Sequence, residues 1–546
     1  KSHSFLYTTL KMSYRITNQM ANFINYDMLN EQRLLACRPG SVNVTYIRNS
    51  QRNIENTVIH IINTLLASGS VSPSDIFILG ASVKGPNSPI RKMENVLVQR
   101  GLPCFVPMLD TDNIDDKIIH KKIVFSTFHS VKGRQRKYVF VLGFDQGYMR
   151  FYCKNLPQDL CPSTLYVACT RATEGLYLLE RNDFETDKPL DFLKMSQFEL
   201  KKQSYVDFKG CPYFPLYDSP IDDIYSKDVH THYVTPTDLI KFIPETVLET
   251  ITPILENMFI TIKRKGVELN IPTVIETSNG SFEDVSDLNG IAIPAMYYDY
   301  INSLWNPDTP NVLYETILII LDEFKDHEHA FLKHIASKLP STFHTPSDYL
   351  FLANAYLAFQ EKLYFKLKQI NIHDYNWLND SLFAQCKKRL DTIIGTECKT
   401  SQPLIEKTLI HQSQDLEHSA IDNYLSEYFD ESIKFRFTAR VDIITTKTIW
   451  ELKCVREITM DHQLQVVIYA WLYNFTHPRN SDSTIHEFKL YNIRTGEIQK
   501  LHATQQHLDF IVISLLQGKY QEETKLSDSE FLNLCCKSFP SPTLTV

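Results

Sequence analysis

The sequence predicts an α/β protein: a parallel-sheet unit first, then a second α/β unit carrying a long helical elaboration. Three observations predict it. Short apolar runs alternate with helical periodicity over the first 180 residues, helical periodicity dominates about 296–395, and strand-like runs return from about 404. Strands alternating with helices imply a parallel sheet, because each parallel connection needs a crossover.

The elements follow in order. Asp75-Ile76-Phe77-Ile78-Leu79-Gly80 is a short apolar run ending at glycine, the pattern of a strand buried on both faces. A helical stretch at 90–100 follows, then a chain reversal at Gly101-Leu102-Pro103. Further strand-like runs are 122–126, 137–143 and 176–180. Residues 183–232, rich in Asp, Lys, Pro and Tyr, read as a connector between a first domain at 1–182 and a second at 233–546. A helical signal returns at 235–258. From about 404 the order is strand, strand, strand and helix, closing in a polar tail. No internal repeat or low-complexity tract is present.

Composition narrows the partners. The chain has 546 residues, 43% hydrophobic and 22% charged, an ordinary globular balance. No run approaches the ~20 apolar residues of a membrane span, so no membrane partner is expected. The first residues, Lys1-Ser2-His3-Ser4-Phe5, contain neither a signal peptide nor an initiator Met, which suggests a fragment or processed chain. Eleven cysteines without a repeating spacing fit reduced thiols and an intracellular location. A net charge of −8 excludes a wholly basic nucleic-acid coat, yet permits a locally positive groove.

The most informative early stretch is Ser126-Thr127-Phe128-His129-Ser130-Val131-Lys132-Gly133, set between two strand-like runs. It resembles motif V of UvrD/Rep-like superfamily-1 helicases. Leu165-Tyr166-Val167-Ala168-Cys169-Thr170-Arg171-Ala172 resembles motif VI of the same family, and Ser13-Tyr14-Arg15-Ile16-Thr17 resembles motif IV. The three stand in family order and cover about the first 180 residues. The resemblance implies a RecA-like second motor lobe over 1–182. Within it, Arg15 and Arg171 would sense the γ-phosphate of ATP, and Thr127 and His129 would couple that cleft to single-stranded DNA. Arginine suits the first task because its planar fork holds two oxygens at fixed angles and opposes charge developing in phosphoryl transfer.

Two departures qualify the motor. The family continues motif V with K-G-x-E, whereas this chain reads Lys132-Gly133-Arg134-Gln135, putting an uncharged amide at the nucleotide site. No G-x-x-x-x-G-K-[ST] loop occurs; Gly518-Lys519 is followed by Tyr520. The run Ile317–Glu323 imitates a magnesium-binding strand but lies after motif VI with helical periodicity, so an amphipathic helix is expected there. ATP would therefore bind only against an N-terminal lobe supplied in cis or in trans.

Near the other end, Phe437–Ile444, a polar turn at 445–447 and Thr448–Lys453 read as a hairpin. It presents Asp442 on one strand and Glu451 and Lys453 on the next. The last two are two residues apart and share a face. Asp461–Ala470 has helical character and sets Gln465 and Tyr469 one turn apart. This D…E-x-K with Q-x-x-x-Y resembles the RecB-type branch of PD-(D/E)xK nucleases. The resemblance implies a DNA nuclease over 233–546, with its helical elaboration at about 296–395 and its catalytic core at about 400–520. Asp442 and Glu451 would hold Mg²⁺ or Mn²⁺, Lys453 would position or deprotonate the attacking water, and Gln465 and Tyr469 would flank the site. The upstream ligand has three candidates: Glu406, Glu417 and His418. The Tyr233–Ile240 segment resembles the helix start that opens such domains, and Asp284–Gly290 stands where the helix carrying the first ligand would follow. Only Cys535 and Cys536 are adjacent near the C-terminus, so no iron–sulfur cluster is expected. The whole reads as the C-terminal part of a helicase–nuclease, as in AddA-like enzymes or large DNA viruses. Its rival is a non-catalytic DNA-binding scaffold with vestigial folds.

Overall fold

In a computed structural model, the chain is described over residues 12–520 apart from 84–88, 108–114, 154–155, 184–186, 215–229, 242, 309–310, 324–333, 336, 338, 340–344, 411–414, 431–432 and 477–485. It is an α/β protein of two interleaved compact units: residues 1–222 with 270–388, and residues 223–269 with 389–546. The segment 270–388, placed by the sequence pattern in the second domain, packs with the first unit.

The first unit is built on a seven-stranded parallel sheet, in the order Cys104–Phe105, Ile123–Thr127, Ile76–Gly80, Arg136–Leu142, Ala172–Arg181, Val44–Asn49 and Val206–Gly210. Its apolar runs have no polar alternation because both faces are covered. Phe77, Leu79, Val139 and Val141 enter one core, while Ile76, Ile78, Phe140 and Leu142 enter the other. The second core is closed by the helices Gln51–Ala67 and Pro89–Gln99, through Ile54, Val58, Ile62, Met93 and Leu97.

The edge strand Val206–Gly210 lies inside the stretch expected to be a connector, so the first unit runs well past residue 182. The run Ile317–Glu323 lies in the helix Val312–Glu323, as its periodicity predicts. The hairpin of Val274–Glu276 and Phe282–Asp284 is tied to the sheet by a buried ion pair, Lys122 Nζ to Glu283 Oε1 at 2.6 Å. Gln369 bridges the same carboxylate, at 2.8 Å, to the backbone N–H of Cys104, at 2.7 Å.

The second unit holds a six-stranded mixed sheet. Its order is Phe259–Lys263, Ile498–Leu501, Glu487–Asn492, Thr448–Lys453, Ala439–Ile444 and Leu404–Ile410. Thr448–Lys453 and Glu487–Asn492 run parallel and are joined through the helix Met460–Thr476; the other neighbours are antiparallel. That helix, with Gln505–Tyr520 and Glu245–Met258, closes a core centred on the fully buried Trp471. The hairpin turns tightly: Thr445 N–H donates to Thr448 O at 2.9 Å, and Thr448 N–H to Thr445 Oγ1 at 3.1 Å. Among the described residues no helix is long and apolar enough to cross a membrane.

Candidate active site

The register of the second sheet gathers its acidic side chains. Ile443 pairs with Trp450 and Ile444 with Ile449, so one step further in that register sets Asp442 across from Glu451. On its other side, Ile405 pairs with Ile443 and Lys407 with Val441, which sets Glu406 across from Asp442. Directly opposed residues of antiparallel strands share a face, so three carboxylates form a row across three strands. The ladder between the two hairpin strands ends at the Ile443–Trp450 pair. Beyond it, Leu452 N–H donates to Asp442 Oδ2 at 2.6 Å, which fixes that carboxylate.

Lys453 and the neighbouring helix complete the arrangement. Lys453 Nζ donates to Glu451 Oε1 at 2.7 Å and to Gln465 Oε1 at 2.8 Å. Gln465 Nε2 donates in turn to the Tyr469 hydroxyl at 2.6 Å. All five residues that the motif singled out are therefore brought together: four in one hydrogen-bonded chain, with Asp442 beside it.

The electrostatics describe a pocket short of positive charge. Glu451 is only 5% exposed, and its Oε2 has no hydrogen-bond partner. Burial, then repulsion from Asp442, pushes its carboxyl up to about 8, although Lys453 opposes the shift. Burial and then the charges of Glu451 and Asp442 also hold the Tyr469 hydroxyl well above its ordinary value, so it stays protonated. His462, not singled out in the sequence, sits on the same helix with Nδ1 accepting from Thr459 N–H at 3.0 Å. Its ring is held down to about 4 by burial and by Lys453, so it is neutral.

The donor set fits a divalent cation bound by two carboxylates with retained waters, since the orphaned Glu451 oxygen and the Asp442 carboxylate lie on one face. A fuller cage is not formed: among the described residues no three His, Cys, Asp or Glu side chains are arranged to hold a metal. The expected third ligand, Glu406, is instead paired with Arg440 Nε at 2.8 Å. His418 is fully buried, and its Nε2 accepts from Phe437 N–H at 2.8 Å. The side chain of Glu417 lies outside the described residues, as do Cys535 and Cys536.

The first unit carries a second cluster. A cleft of about 560 Å³ is lined by Met12, Ser13, Tyr14, Arg15, Arg38, Gln135 and Thr173. Arg15 and Gln135, far apart in sequence, thus share one cavity. Arg171 is 8% exposed and donates to Val167 O at 2.9 Å and Thr170 Oγ1 at 3.0 Å. Burial, then the charge of Arg15, lowers its pKa. Among the described residues neither arginine has a carboxylate partner, an arrangement that suits an anion.

Thr127 and His129 stand at one loop with different exposure. Thr127 is 2% exposed and its hydroxyl closes the turn, donating to Ser130 Oγ at 3.0 Å, so it shapes the loop and leaves His129 as the exposed side chain. Gly133 in that loop has φ +88°, a conformation that favours glycine.

No family model and no curated protein matches the chain. Among solved structures it is similar to the C-terminal domain of a possible DNA helicase from Lactobacillus plantarum WCFS1. The likeness has a TM-score of 0.26 at 14% identity, over 36% of this chain and 99% of that one. A likeness at that level carries no weight for function.

Proposed function

We propose that the second unit is a metal-dependent deoxyribonuclease, and that the first is the second motor lobe of a superfamily-1 helicase that works against a separate N-terminal lobe. One observation carries the nuclease reading. Asp442, Glu451 and Lys453 converge with Gln465 and Tyr469, around a buried carboxylate oxygen that has no partner. A buried, unmatched carboxylate is costly unless a cation answers it.

Each residue then has a separate task. Asp442 and Glu451 would hold Mg²⁺ or Mn²⁺, the former fixed by Leu452 N–H. When bound, the cation would acidify a water and neutralise charge on the phosphate. Gln465, itself held by Tyr469, aims the Lys453 ammonium at the pocket, where it can orient that water. The motor reading is supported by Arg15 and Gln135 lining one cleft, with the Arg171 charge near Arg15; two guanidinium groups without a carboxylate partner suit a polyphosphate.

The test is release of nucleotides from labelled single-stranded and duplex DNA in Mg²⁺ or Mn²⁺ without ATP. The parent should cut, and Asp442→Ala should lose both cleavage and metal affinity. If Asp442→Ala cuts as fast as the parent, the assignment fails and a non-catalytic DNA-binding scaffold becomes the better account.

A further inference from the structure

We propose that Arg440 is a substrate-binding residue that grips a phosphate of the DNA strand beside the metal pocket, and that Glu406 holds it aimed until the strand arrives. The inference rests on the nuclease reading and adds a residue that the D…E-x-K pattern does not contain. Arg440 stands two residues before Asp442 on the same strand, so both project from one face. Its side chain is 43% exposed, at the solvent side of the carboxylate row, and its Nε lies 2.8 Å from Glu406 Oε2.

Charge decides the matter. A phosphodiester entering this face meets Asp442, Glu451 and Glu406. Lys453 is already engaged by Glu451 and Gln465. A guanidinium beside the row offsets that repulsion, and its planar fork can hold phosphate oxygens in a fixed orientation.

Glu406 fits the role of holder. It sits across from Asp442, and its charge is felt by both Glu451 and Tyr469, yet its carboxylate is turned to Arg440. Its backbone is at φ +50°, a left-handed conformation unfavourable for a non-glycine residue that persists only where neighbours enforce it. The pair keeps a long, exposed arginine extended along the face instead of free in solvent. A phosphate exchanges for Glu406 as the guanidinium's partner.

The experiment uses the full chain and a labelled single-stranded oligonucleotide. Binding is followed by fluorescence anisotropy in Ca²⁺ over a range of salt, beside a calorimetric Mn²⁺ titration without DNA. Arg440→Ala should weaken oligonucleotide binding about tenfold. It should also lower the slope of log affinity against log salt by about 0.7, the share of one single-strand phosphate contact, while Mn²⁺ affinity holds. Arg440→Lys should recover part of both losses. An unchanged salt slope in Arg440→Ala would overturn the proposal, as would an equal loss of Mn²⁺ affinity, which would make Arg440 a prop for the carboxylates. The anisotropy needs no cleavage, so a parent that never cuts removes the nuclease reading separately from this one.

Discussion

Glu451 is the residue on which the site turns. It is placed by its strand, bonded by one oxygen to Lys453 and left with the other unmatched, so the pocket has a deficit of positive charge. Asp442 and Lys453 divide the response to that deficit, and their loss should fail differently. Lys453→Ala should keep most of the Mn²⁺ affinity, because an ammonium is not a metal ligand, yet reduce cleavage by roughly 10²–10⁴-fold, the usual reach of a proton-handling group. Calorimetry beside single-turnover cleavage separates the two; a parallel loss of metal binding would make Lys453 structural. The triad was legible because alternation along a strand and a short polar turn fix faces from spacing alone. Arg440 and His462 were not legible, since nothing in their spacing marks them until the neighbouring strand and helix are in place. At Thr127 the motif locates the loop, and the packed structure adds that its hydroxyl is buried and closes the turn.

At the scale of elements, the sequence was most readable where both faces of a strand are buried. The stretches 76–79, 123–125, 138–142 and 176–179 are continuous and apolar, and each lies in a strand of the parallel sheet. Val206–Gly210 escaped notice because an exposed edge strand carries Asp207 and Lys209 and reads as a polar connector. Glu487–Asn492 and Ile498–Leu501 were lost within what looked like the polar end of the chain, although Phe488 and Leu490 alternate with charged neighbours. The docking of 270–388 rests on long-range contacts that no local pattern encodes, among them Leu363 and Phe365 in the core beside Met93 and Leu97 and a set of polar contacts. Chief among them is the Lys122–Glu283 pair, whose side chains are 0% and 1% exposed. Lys122→Met would strand Glu283 as a buried charge, and breaking such a pair costs about 3–5 kcal/mol. Chemical denaturation of the variant checks this, and a loss below 1 kcal/mol would show that the hairpin is held by other means.

The molecule as a whole should respond to pH through buried carboxyls of the first unit. Burial raises Asp27 to about 7, Glu94 to about 8 and Glu180 to about 7. Between their ordinary values near 4 and these raised ones, the folded chain keeps protons that the unfolded chain has shed. Stability should therefore fall as pH rises from about 4.5 through 8. Glu487, held down to about 2 by hydrogen bonds from Lys489 and Lys500, works the other way only below that window; His462, held down to about 4, opposes the fall up to about 6.5, one group against three. A thermal midpoint higher at pH 8.5 than at pH 5.5 would contradict this. The sequence holds no phosphate-cradling loop, so the proposed nuclease chemistry is expected to run without ATP. The most direct test of the central claim is cleavage of labelled single-stranded DNA by the full chain in Mn²⁺ with no nucleotide present, for the parent, Glu451→Gln and Arg171→Ala. The account predicts that the parent and Arg171→Ala cut alike and that Glu451→Gln does not cut. Equal cleavage by Glu451→Gln, or none by the parent, would contradict it.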